Sequence, residues 1–357
     1  METLESTFER HLAEVLAIHF DPVSGTPYWL DQSERLGCDP REAVRTAADL
    51  HRLPCMDAEA LRERPLVDFI PRSVVERRGD LIVAQTGGTL GRPVWTAYTR
   101  DDFREAFVSP FLRAAEHVAF PGGGAWLYVG PSGPHIIHRA ADAIARATGA
   151  ASPFSVDFDP RWARKLPAGS FAAKRYLAHV AEQALAVVRS QPITHLFTTP
   201  TVLSVLAEEM TAEQREDIRG VHYGGMAIDP VLLRRMQTDV FPNAAHLAGY
   251  GNTLFGCCLE LDVSVGRTLC YFPFGERLVF GVRPDEPGAA VTNEIGREGR
   301  LVFSRLDRSM LLLNYVERDR ARLVDPPKDS PEPFRLAGVA SPTPLVQRGI
   351  RPAISLY

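Results

Sequence analysis

Short apolar runs alternate with longer helical stretches between residue 80 and about residue 250, and this alternation constrains the fold more than any other feature. The runs end near glycine or proline and span residues 81–83, 126–129, 195–197 and 221–223. The helical stretches carry apolar residues at three- and four-residue spacing and span residues 101–118, 138–148, 170–189 and 230–240. Such alternation is typical of βα units. It predicts a largely parallel sheet whose active site lies at the carboxyl ends of the strands.

Different patterns flank this region. Residues 1–79 contain six prolines and no strand-like alternation, which predicts a helical preface. Short strands separated by turns predict a small β-rich subdomain, with segments at residues 257–263, 268–272, 277–282 and 300–306. Residues 326–357 hold seven prolines and predict an extended tail on the surface. The predicted organisation is one domain over residues 1–325 (preface 1–79, α/β core 80–254, β-rich part 255–325), followed by the tail.

Composition excludes several classes of protein. The net charge of −4 and the pI of about 6.2 lack the basic footprint of a nucleic-acid-binding protein. The apolar residues of the N-terminus form a helical stripe rather than a signal peptide, at Leu4, Phe8, Leu12, Leu16 and Phe20. No apolar run approaches the length of a membrane span, about 18 residues. We therefore expect a cytoplasmic protein without a membrane partner.

The five cysteines indicate neither a disulfide framework nor a metal site. They form no C-x-x-C pair, and no histidine lies at metal-ligand spacing from them. We expect ordinary buried or half-buried thiols and no metal site. The adjacent pair Cys257 and Cys258 is kept as a candidate for acyl transfer.

Residues 86–93, with the sequence T-G-G-T-L-G-R-P, follow an apolar run and form a glycine-rich turn. Glycines let backbone N–H groups approach an anion closely, hydroxyls add donors, and the guanidinium of Arg92 matches phosphate charge. A plain turn is the alternative interpretation. The turn is not a Walker A loop, because no Gly-Lys-Ser/Thr ends it.

This turn resembles the T-S-G-T-T-G-K-P phosphate loop of the superfamily of acyl-CoA synthetases, nonribosomal adenylation domains and luciferases, and residues 94–101 continue as in its phenylacetate-CoA ligase branch. The resemblance implies the N-terminal large domain of the adenylate-forming fold and an ATP or AMP ligand. It also assigns phosphate contacts to Thr86, Gly87, Gly88, Thr89 and Gly91. Arg92 stands in place of the family's Lys.

Two further segments resemble motifs of the same family in the same order. Gly224, Gly225 and Met226 match the diglycine segment that lies along the adenine, although a tight βα turn would have the same sequence. Residues 250–254, Y-G-N-T-L, resemble Y-G-x-T-E. The resemblance implies adenine packing by Tyr250, with Gly251 and Asn252 beside it, and a catalytic phosphate contact by Thr253. Leu254 replaces the Glu that holds Mg²⁺ in the family, so the usual protein ligand is missing and the use of Mg²⁺ stays open.

The fourth match covers residues 296–304 and 311–319 and resembles G-E-x-G-E-L-V-F-T followed by P-L-I-R-Y-R-T-G-D. The resemblance assigns binding of the ribose hydroxyls to Asp319, a role that suits a carboxylate accepting two hydroxyl donors. An exposed Asp at a strand end is the alternative. Residues 314 and 316–318 depart from the family pattern.

The acid substrate is expected at residues 129–138, a strand, a glycine-proline turn and a helix start that border the substrate in phenylacetate-CoA ligase-like proteins. Free N–H groups of a helix N-terminus can receive a carboxylate. The candidate substrate residues are Gly130, Ser132, Gly133 and His135. A βα loop capped by Ser132, with a surface histidine, is the alternative.

Only 38 residues follow Asp319, whereas the family's C-terminal lid domain, with its catalytic Lys, has about 100. We therefore expect a form without the lid domain that makes an acyl-AMP from an aromatic acid without efficient CoA thioester formation. A partner reductase, transferase or carrier protein would accept the product, and a homodimer stays open. Two alternatives remain: a catalytically weak nucleotide- or acid-binding protein, and an acyl-protein synthetase-like transfer through a Cys.

The chain length and two turns, G-Y-G-N and G-P-S-G-P, also resemble short adenylating proteins of phenazine (griseoluteic acid) biosynthesis. This resemblance implies antibiotic or other secondary metabolism and a fused-ring aryl carboxylate.

Overall fold

A computed structural model of the chain describes residues 4–87, 92–286 and 288–345. These residues form two units. The first unit holds residues up to 106 together with 254–256 and 270–345, and the second holds residues 107–253 and 257–269. The chain passes from one unit to the other between Thr253 and Leu254, inside the Y-G-N-T-L motif.

The strands are β1 (Ile82–Gln85), β2 (Trp95–Tyr98), β3 (Trp126–Val129), β4 (Phe154–Val156), β5 (His195–Thr198), β6 (Gly220–Tyr223), β7 (Ala245–Asn252), β8 (Gly256–Leu259), β9 (Cys270–Tyr271), β10 (Leu278–Arg283), β11 (Glu298–Leu306), β12 (Leu311–Val324) and β13 (Gly338–Pro344).

The α-helices are α1 (Leu4–His19), α2 (Pro27–Leu36), α3 (Pro40–Ala43), α4 (Ala47–Arg52), α5 (Ala60–Glu63), α6 (Arg72–Val75), α7 (Arg100–Phe103), α8 (Ser109–His117), α9 (Ile136–Ala147), α10 (Pro160–Lys165), α11 (Phe171–Ser190), α12 (Pro200–Glu209), α13 (Ala212–Glu216) and α14 (Pro230–Arg235). Short 3₁₀ segments lie at Leu66–Phe69 and Arg78–Asp80, and π-helical segments at Arg104–Val108 and Met236–Val240. None of the helices in the described ranges is long and apolar enough to cross a membrane.

The first unit begins with the expected helical preface, α1 to α6. The stripe of α1 is buried: Phe8, Leu12, Leu16 and Phe20 are each at most 6% exposed. Asn314 ties the preface to β12, because its amide Nδ2 donates to the backbone oxygens of Leu50 (2.7 Å) and Leu53 (2.9 Å). Asn314 adopts a φ of 46°, a left-handed conformation that Asn tolerates better than most residues. The residue that departs from the family pattern here therefore has a structural role.

The β-rich part of the first unit is a five-stranded sheet in the order β10-β11-β12-β13-β9, with every pair antiparallel. Strand β13 lies within the segment predicted as a tail, so the sheet extends into that segment as far as Pro344. The predicted strand at residues 257–263 was misplaced, since β8 lies beside β7 in the other sheet.

The second unit carries the parallel sheet, in the order β4-β3-β5-β6-β7-β8. Strands β4, β3, β5, β6 and β7 are parallel neighbours, as the alternation predicts. The run at residues 81–83 is the exception, because β1 pairs with β2 as an antiparallel hairpin in the first unit. A polar loop between two short apolar strands looks the same in sequence whether the chain returns by a helix or by a hairpin.

A buried charge network stabilises the first unit. Asp307 accepts two hydrogen bonds from Arg277, both at 2.8 Å, and a third from Arg305 at 2.5 Å. Arg305 is 0% exposed, donates to the backbone oxygens of Ala97 and Leu254, and lies 3.8 Å from the centre of the Tyr98 ring. Burial alone would raise the pKa of Asp307, but the two guanidinium charges outweigh it and hold the pKa below its usual value.

We expect Asp307→Asn to lower the free energy of unfolding by about 3 to 5 kcal/mol, because it leaves two buried guanidinium groups without a counter-charge. Urea denaturation followed by circular dichroism measures the change. Asp329→Asn removes an exposed acid of the same unit and should change stability by less than about 0.5 kcal/mol. Equal stability of the two variants would show that the network does not anchor this unit.

Candidate functional site

The carboxyl ends of β3, β5 and β6 lie side by side and next to the middle of β7. Val129 of β3 pairs with Thr198 of β5, Thr198 with Tyr223 of β6, and Tyr223 with Ala248 of β7. Neighbouring strands lie about 4.8 Å apart, so this edge spans about 14 Å from β3 to β7. The loop at residues 130–135, the diglycine turn and the Tyr250 segment follow this row directly. Three of the predicted motifs therefore share one sheet edge.

The diglycine turn after β6 requires glycine at both positions. Gly225 has a φ of 80°, which side chains rarely adopt. A Cβ atom on Gly224 would lie 2.8 Å from Cε2 of Phe197, so only glycine lets the backbone pass this ring. Met226 follows and lies beside Thr201, with the hydroxyl 3.8 Å from its sulfur.

Strand β7 carries Tyr250, Gly251 and Asn252, with Thr253 directly after it. Tyr250 is half-buried and Thr253 is buried, at 9% exposure. The neighbouring Gly249 approaches the β6 and β8 side chains closely, since a Cβ there would lie 2.9 Å from Sγ of Cys257 and 3.2 Å from Cε1 of His222.

A buried polar cluster holds β7 in place. The carboxylate of Glu260 accepts from Arg267 and, at 3.4 Å, from the backbone N–H of Ala248. The hydroxyl of Tyr223 and Nδ1 of His246 form a 2.6 Å hydrogen bond in the same cluster. Burial raises the pKa of Glu260 to about 7 against the opposing charge of Arg267. The cluster fixes the backbone two residues before Tyr250.

His222 is a further buried group that the sequence did not single out. Its Nδ1–H donates to the backbone oxygen of Leu247 at 2.9 Å, and its ring meets Phe197 edge-on at 4.3 Å between centres. Burial lowers the pKa of His222 to about 4, so the ring is neutral at pH 7. A histidine inside an apolar strand, and a glutamate inside the run C-C-L-E-L, were the available signals for His222 and Glu260.

The loop after β3 brings Gly130, Ser132 and Gly133 to the start of α9. Ser132 does not cap this helix; its backbone N–H donates to Asp157 at 2.8 Å instead. His135 is the N-terminal capping residue, and its side chain makes no capping hydrogen bond. His135 is 4% exposed rather than on the surface, and its Nε2 is buried with no hydrogen-bond partner among the described residues.

Charged groups of both signs surround His135. Burial lowers the pKa of His135, and the charges of Arg161 and Arg164 lower it further, while Asp159 and Asp157 oppose them. The N–H groups of the first turn of a twelve-residue helix add a partial positive charge at the same place.

The remaining predicted nucleotide residues belong to the first unit. Thr86 closes the β1–β2 hairpin: its N–H donates to the oxygen of Val94, and its hydroxyl accepts from the Val94 N–H, both at 2.9 Å. Gly87 is half-buried and Arg92 is exposed. Gly88, Thr89 and Gly91 lie outside the described residues.

Asp319 lies on β12 opposite Pro344 of β13. It is buried, at 8% exposure, and its Oδ1 lies 3.6 Å from Nε of Arg318. The alternative of an exposed Asp at a strand end is wrong, because β12 continues for five residues beyond it.

Position 254 does not suit a metal ion. Leu254 is 3% exposed, and its backbone oxygen accepts from Arg305 at 2.9 Å, so neither its side chain nor its carbonyl is available as a ligand. Across the described ranges, no group of three His, Cys, Asp or Glu side chains is placed to hold a metal ion.

The fold matches that of 2-hydroxyisobutyryl-CoA ligase. An open conformation of that enzyme in complex with 2-HIB-AMP and CoA gives a TM-score of 0.68 at 16% identity, covering 99% of this chain and 79% of the other. Its postadenylation state in complex with R3-HIB-AMP gives 0.67 at 16% identity, covering 95% and 67%. No protein-family model and no curated protein sequence matches the chain. These likenesses confirm the α/β fold of the N-terminal domain of adenylate-forming ligases.

We expect the Cys257 thiol to react slowly in the folded protein. Burial raises its pKa to about 12, so about one thiol in ten thousand is ionised at pH 8. Iodoacetamide at pH 8 should modify the exposed Cys38 and Cys55 first, as measured by mass spectrometry of the digested protein. Labelling of Cys257 as fast as that of Cys38 would contradict the assignment and restore acyl transfer through this thiol.

Proposed function

We propose that the chain activates a carboxylic acid with ATP, forming an acyl-AMP and releasing pyrophosphate. The shared edge of the second unit's sheet carries the proposal, because the proposed acid-binding loop follows β3, the diglycine turn follows β6, and Tyr250 lies near the end of β7. The matched fold supports it, since 2-hydroxyisobutyryl-CoA ligase forms complexes with acyl-AMP intermediates.

Nucleotide contacts are proposed separately for each unit. In the second unit, Tyr250 lies on β7 between two residues without side chains, Gly249 and Gly251, and its ring is the group that we propose to pack on the adenine base. Gly224, Gly225 and Met226 would follow the adenine, and Asp319 would accept the ribose hydroxyls. Within the second unit we assign Thr253 to the phosphates. Within the first, the resemblance assigns Thr86, Gly87 and the 88–91 segment to them.

The acid would bind at the start of α9. A carboxylate there meets the N–H groups of the first helical turn, the buried Nε2 of His135 and the positive charge of Arg161. We propose an aromatic acid, as the resemblance to the phenylacetate-CoA ligase branch implies. Secondary metabolism, and a partner reductase, transferase or carrier protein that accepts the acyl group, belong to the same proposal.

In this reaction a carboxylate oxygen attacks the α-phosphorus and forms a new oxygen–phosphorus bond. The bond from the α-phosphorus to the oxygen that bridges the α- and β-phosphates breaks. The electron pair leaves with pyrophosphate. Arg92 would meet the developing phosphate charge. No step is assigned to a metal ligand of the protein, because position 254 supplies none.

Two alternatives differ from this proposal in ways that can be tested. Transfer through Cys257 would need a thiolate, which the raised pKa of this thiol disfavours. Binding of nucleotide and acid without catalysis uses the same residues and differs only in the absence of pyrophosphate exchange.

The protein should catalyse acid-dependent exchange of labelled pyrophosphate into ATP, and Asp319→Ala should lower the affinity for ATP at least tenfold. The substitution removes two charge-assisted hydrogen bonds, each worth about 1.5 to 3 kcal/mol. The exchange assay uses aryl acids with 2-hydroxyisobutyrate as the aliphatic comparison, and calorimetry measures ATP affinity.

Asp325→Ala, an exposed acid that follows the same strand, is the matched control. ATP binding without exchange for any acid would favour the non-catalytic alternative. Unchanged ATP affinity in a folded Asp319→Ala variant would contradict the assignment of the ribose hydroxyls to Asp319.

His135→Phe should raise the KM for the acid about tenfold or more and leave the KM for ATP within about twofold, because it removes one hydrogen bond to a carboxylate. His135→Gln keeps a donor and should lie between the wild type and the Phe variant. His117→Phe, at an exposed histidine of α8, should change neither KM. Equal effects of His135→Phe on both KM values would point to a general disturbance of the fold instead of an acid-binding role.

A further inference from the structure

Residues 159–175 form a basic segment in an acidic protein. The segment holds five basic residues and one acid, Asp159, a net charge of +4 over 17 residues. The whole chain carries −4, so the other 340 residues carry −8. The basic side chains are Arg161, Arg164, Lys165, Lys174 and Arg175. Two of the chain's three lysines therefore lie in about one twentieth of its length.

The segment also exposes two large aromatic side chains. Trp162 on α10 is 53% exposed and Phe171 at the start of α11 is 84% exposed. Exposure of large aromatic side chains to water is unfavourable in free energy. Aromatic residues are also enriched among those that contribute most to binding at protein interfaces. Lys165 and Lys174 are exposed as well, and no ion pair of either is present within the described ranges.

Local hydrogen bonds hold the segment in a defined shape. Asp159 caps α10 by accepting from the N–H groups of Arg161 and Trp162, and Ser170 caps α11 by accepting from Ala173. The backbone N–H of Asp159 donates to the hydroxyl of Tyr176 at 2.9 Å, which ties the start of α10 to α11. The aromatic and basic side chains are thus presented on capped helix ends, so less conformational entropy is lost when a partner binds.

We propose that this segment is a docking surface for an acidic protein that presents a helix with an apolar centre and a rim of Asp and Glu. Trp162 and Phe171 would pack on the apolar centre, and Lys165 and Lys174 would meet the acidic rim. The charge distribution selects a small acidic protein over nucleic acid or an anionic membrane. The −8 carried by the remaining residues would repel a long polyanion or an extended anionic surface, whereas a small partner covers the basic segment alone.

The surface borders the loop after β3. Asp157, two residues before the segment, accepts from the backbone N–H of Ser132, and the charge of Arg161 acts on His135. A partner docked here would lie beside the proposed acid-binding loop and could receive the activated acyl group. That consequence rests on the proposed function, whereas the docking surface itself does not.

The test measures binding of a fluorescein-labelled acidic amphipathic helical peptide of about 18 residues, five helical turns, by fluorescence anisotropy with the full chain. A peptide of the same composition with its apolar residues scattered is the reference. We expect the amphipathic peptide to bind at least about tenfold more tightly than the reference. Lys165→Glu with Lys174→Glu should weaken binding at least about tenfold, and so should Trp162→Ala with Phe171→Ala.

Matched controls are Lys328→Glu, the third lysine and also exposed, and Val231→Ser, an apolar residue that is 76% exposed. Each should change the affinity less than about twofold. Pyrophosphate exchange by the Lys165→Glu, Lys174→Glu variant should stay at the wild-type rate, so that loss of docking and loss of the proposed reaction are separable. Equal binding of the two peptides, equal loss in the control variants, or tighter binding to single-stranded DNA or to vesicles with about 30% phosphatidylserine would overturn the proposal.

Discussion

The first unit depends on one carboxylate placed between two guanidinium groups. Asp307 is 2% exposed, and without it the charges of Arg277 and Arg305 would stand together in the interior. Arg305 uses its remaining donors on Thr96, Ala97, Leu254 and Ser309, so the same side chain holds β2, the short 254–256 segment and the turn between β11 and β12. His19 of α1 joins through its Nε2–H, which donates to the backbone oxygen of Asp307 at 2.8 Å. Burial lowers the pKa of His19 to about 4, and the nearby charge of Arg305 acts in the same direction, so the ring enters this network neutral.

The second unit is organised by the row of strand ends instead. Several of its buried polar groups bind the backbone: His222 donates to Leu247, Glu260 accepts from Ala248, and Thr198 donates to Val129 at 2.8 Å. Each contact fixes one strand against its neighbour close to the edge where the candidate site lies. A site built on strand ends held in this way keeps its geometry more firmly than one built on loops alone.

Periodicity predicted the parallel strands β3, β5 and β6 and the long helices of the second unit, because each buries a regular apolar pattern. It failed where pairing partners are far apart in sequence. Local pattern does not predict three of the observed pairings. These are the hairpin of β1 with β2, the placement of β8 beside β7, and the place of β13 in the β-rich sheet. Of the candidate site, the glycine turns were predictable because only glycine satisfies their backbone. His222, Glu260 and Arg161 were not, since their roles depend on neighbours that the fold, and not the local pattern, brings close: Leu247 for His222, Ala248 and Arg267 for Glu260, and His135 for Arg161.

The double hydrogen bond between Thr86 and Val94 bears on how residues 87–93 can vary. The entropic cost of holding the two ends of a loop together grows slowly with loop length. Each doubling of the length adds only about 0.6 kcal/mol. Insertions or substitutions between these two residues should therefore leave the β1–β2 pairing intact. The residues of such a loop can change during evolution, or in the laboratory, without a matching change in the strands that carry it.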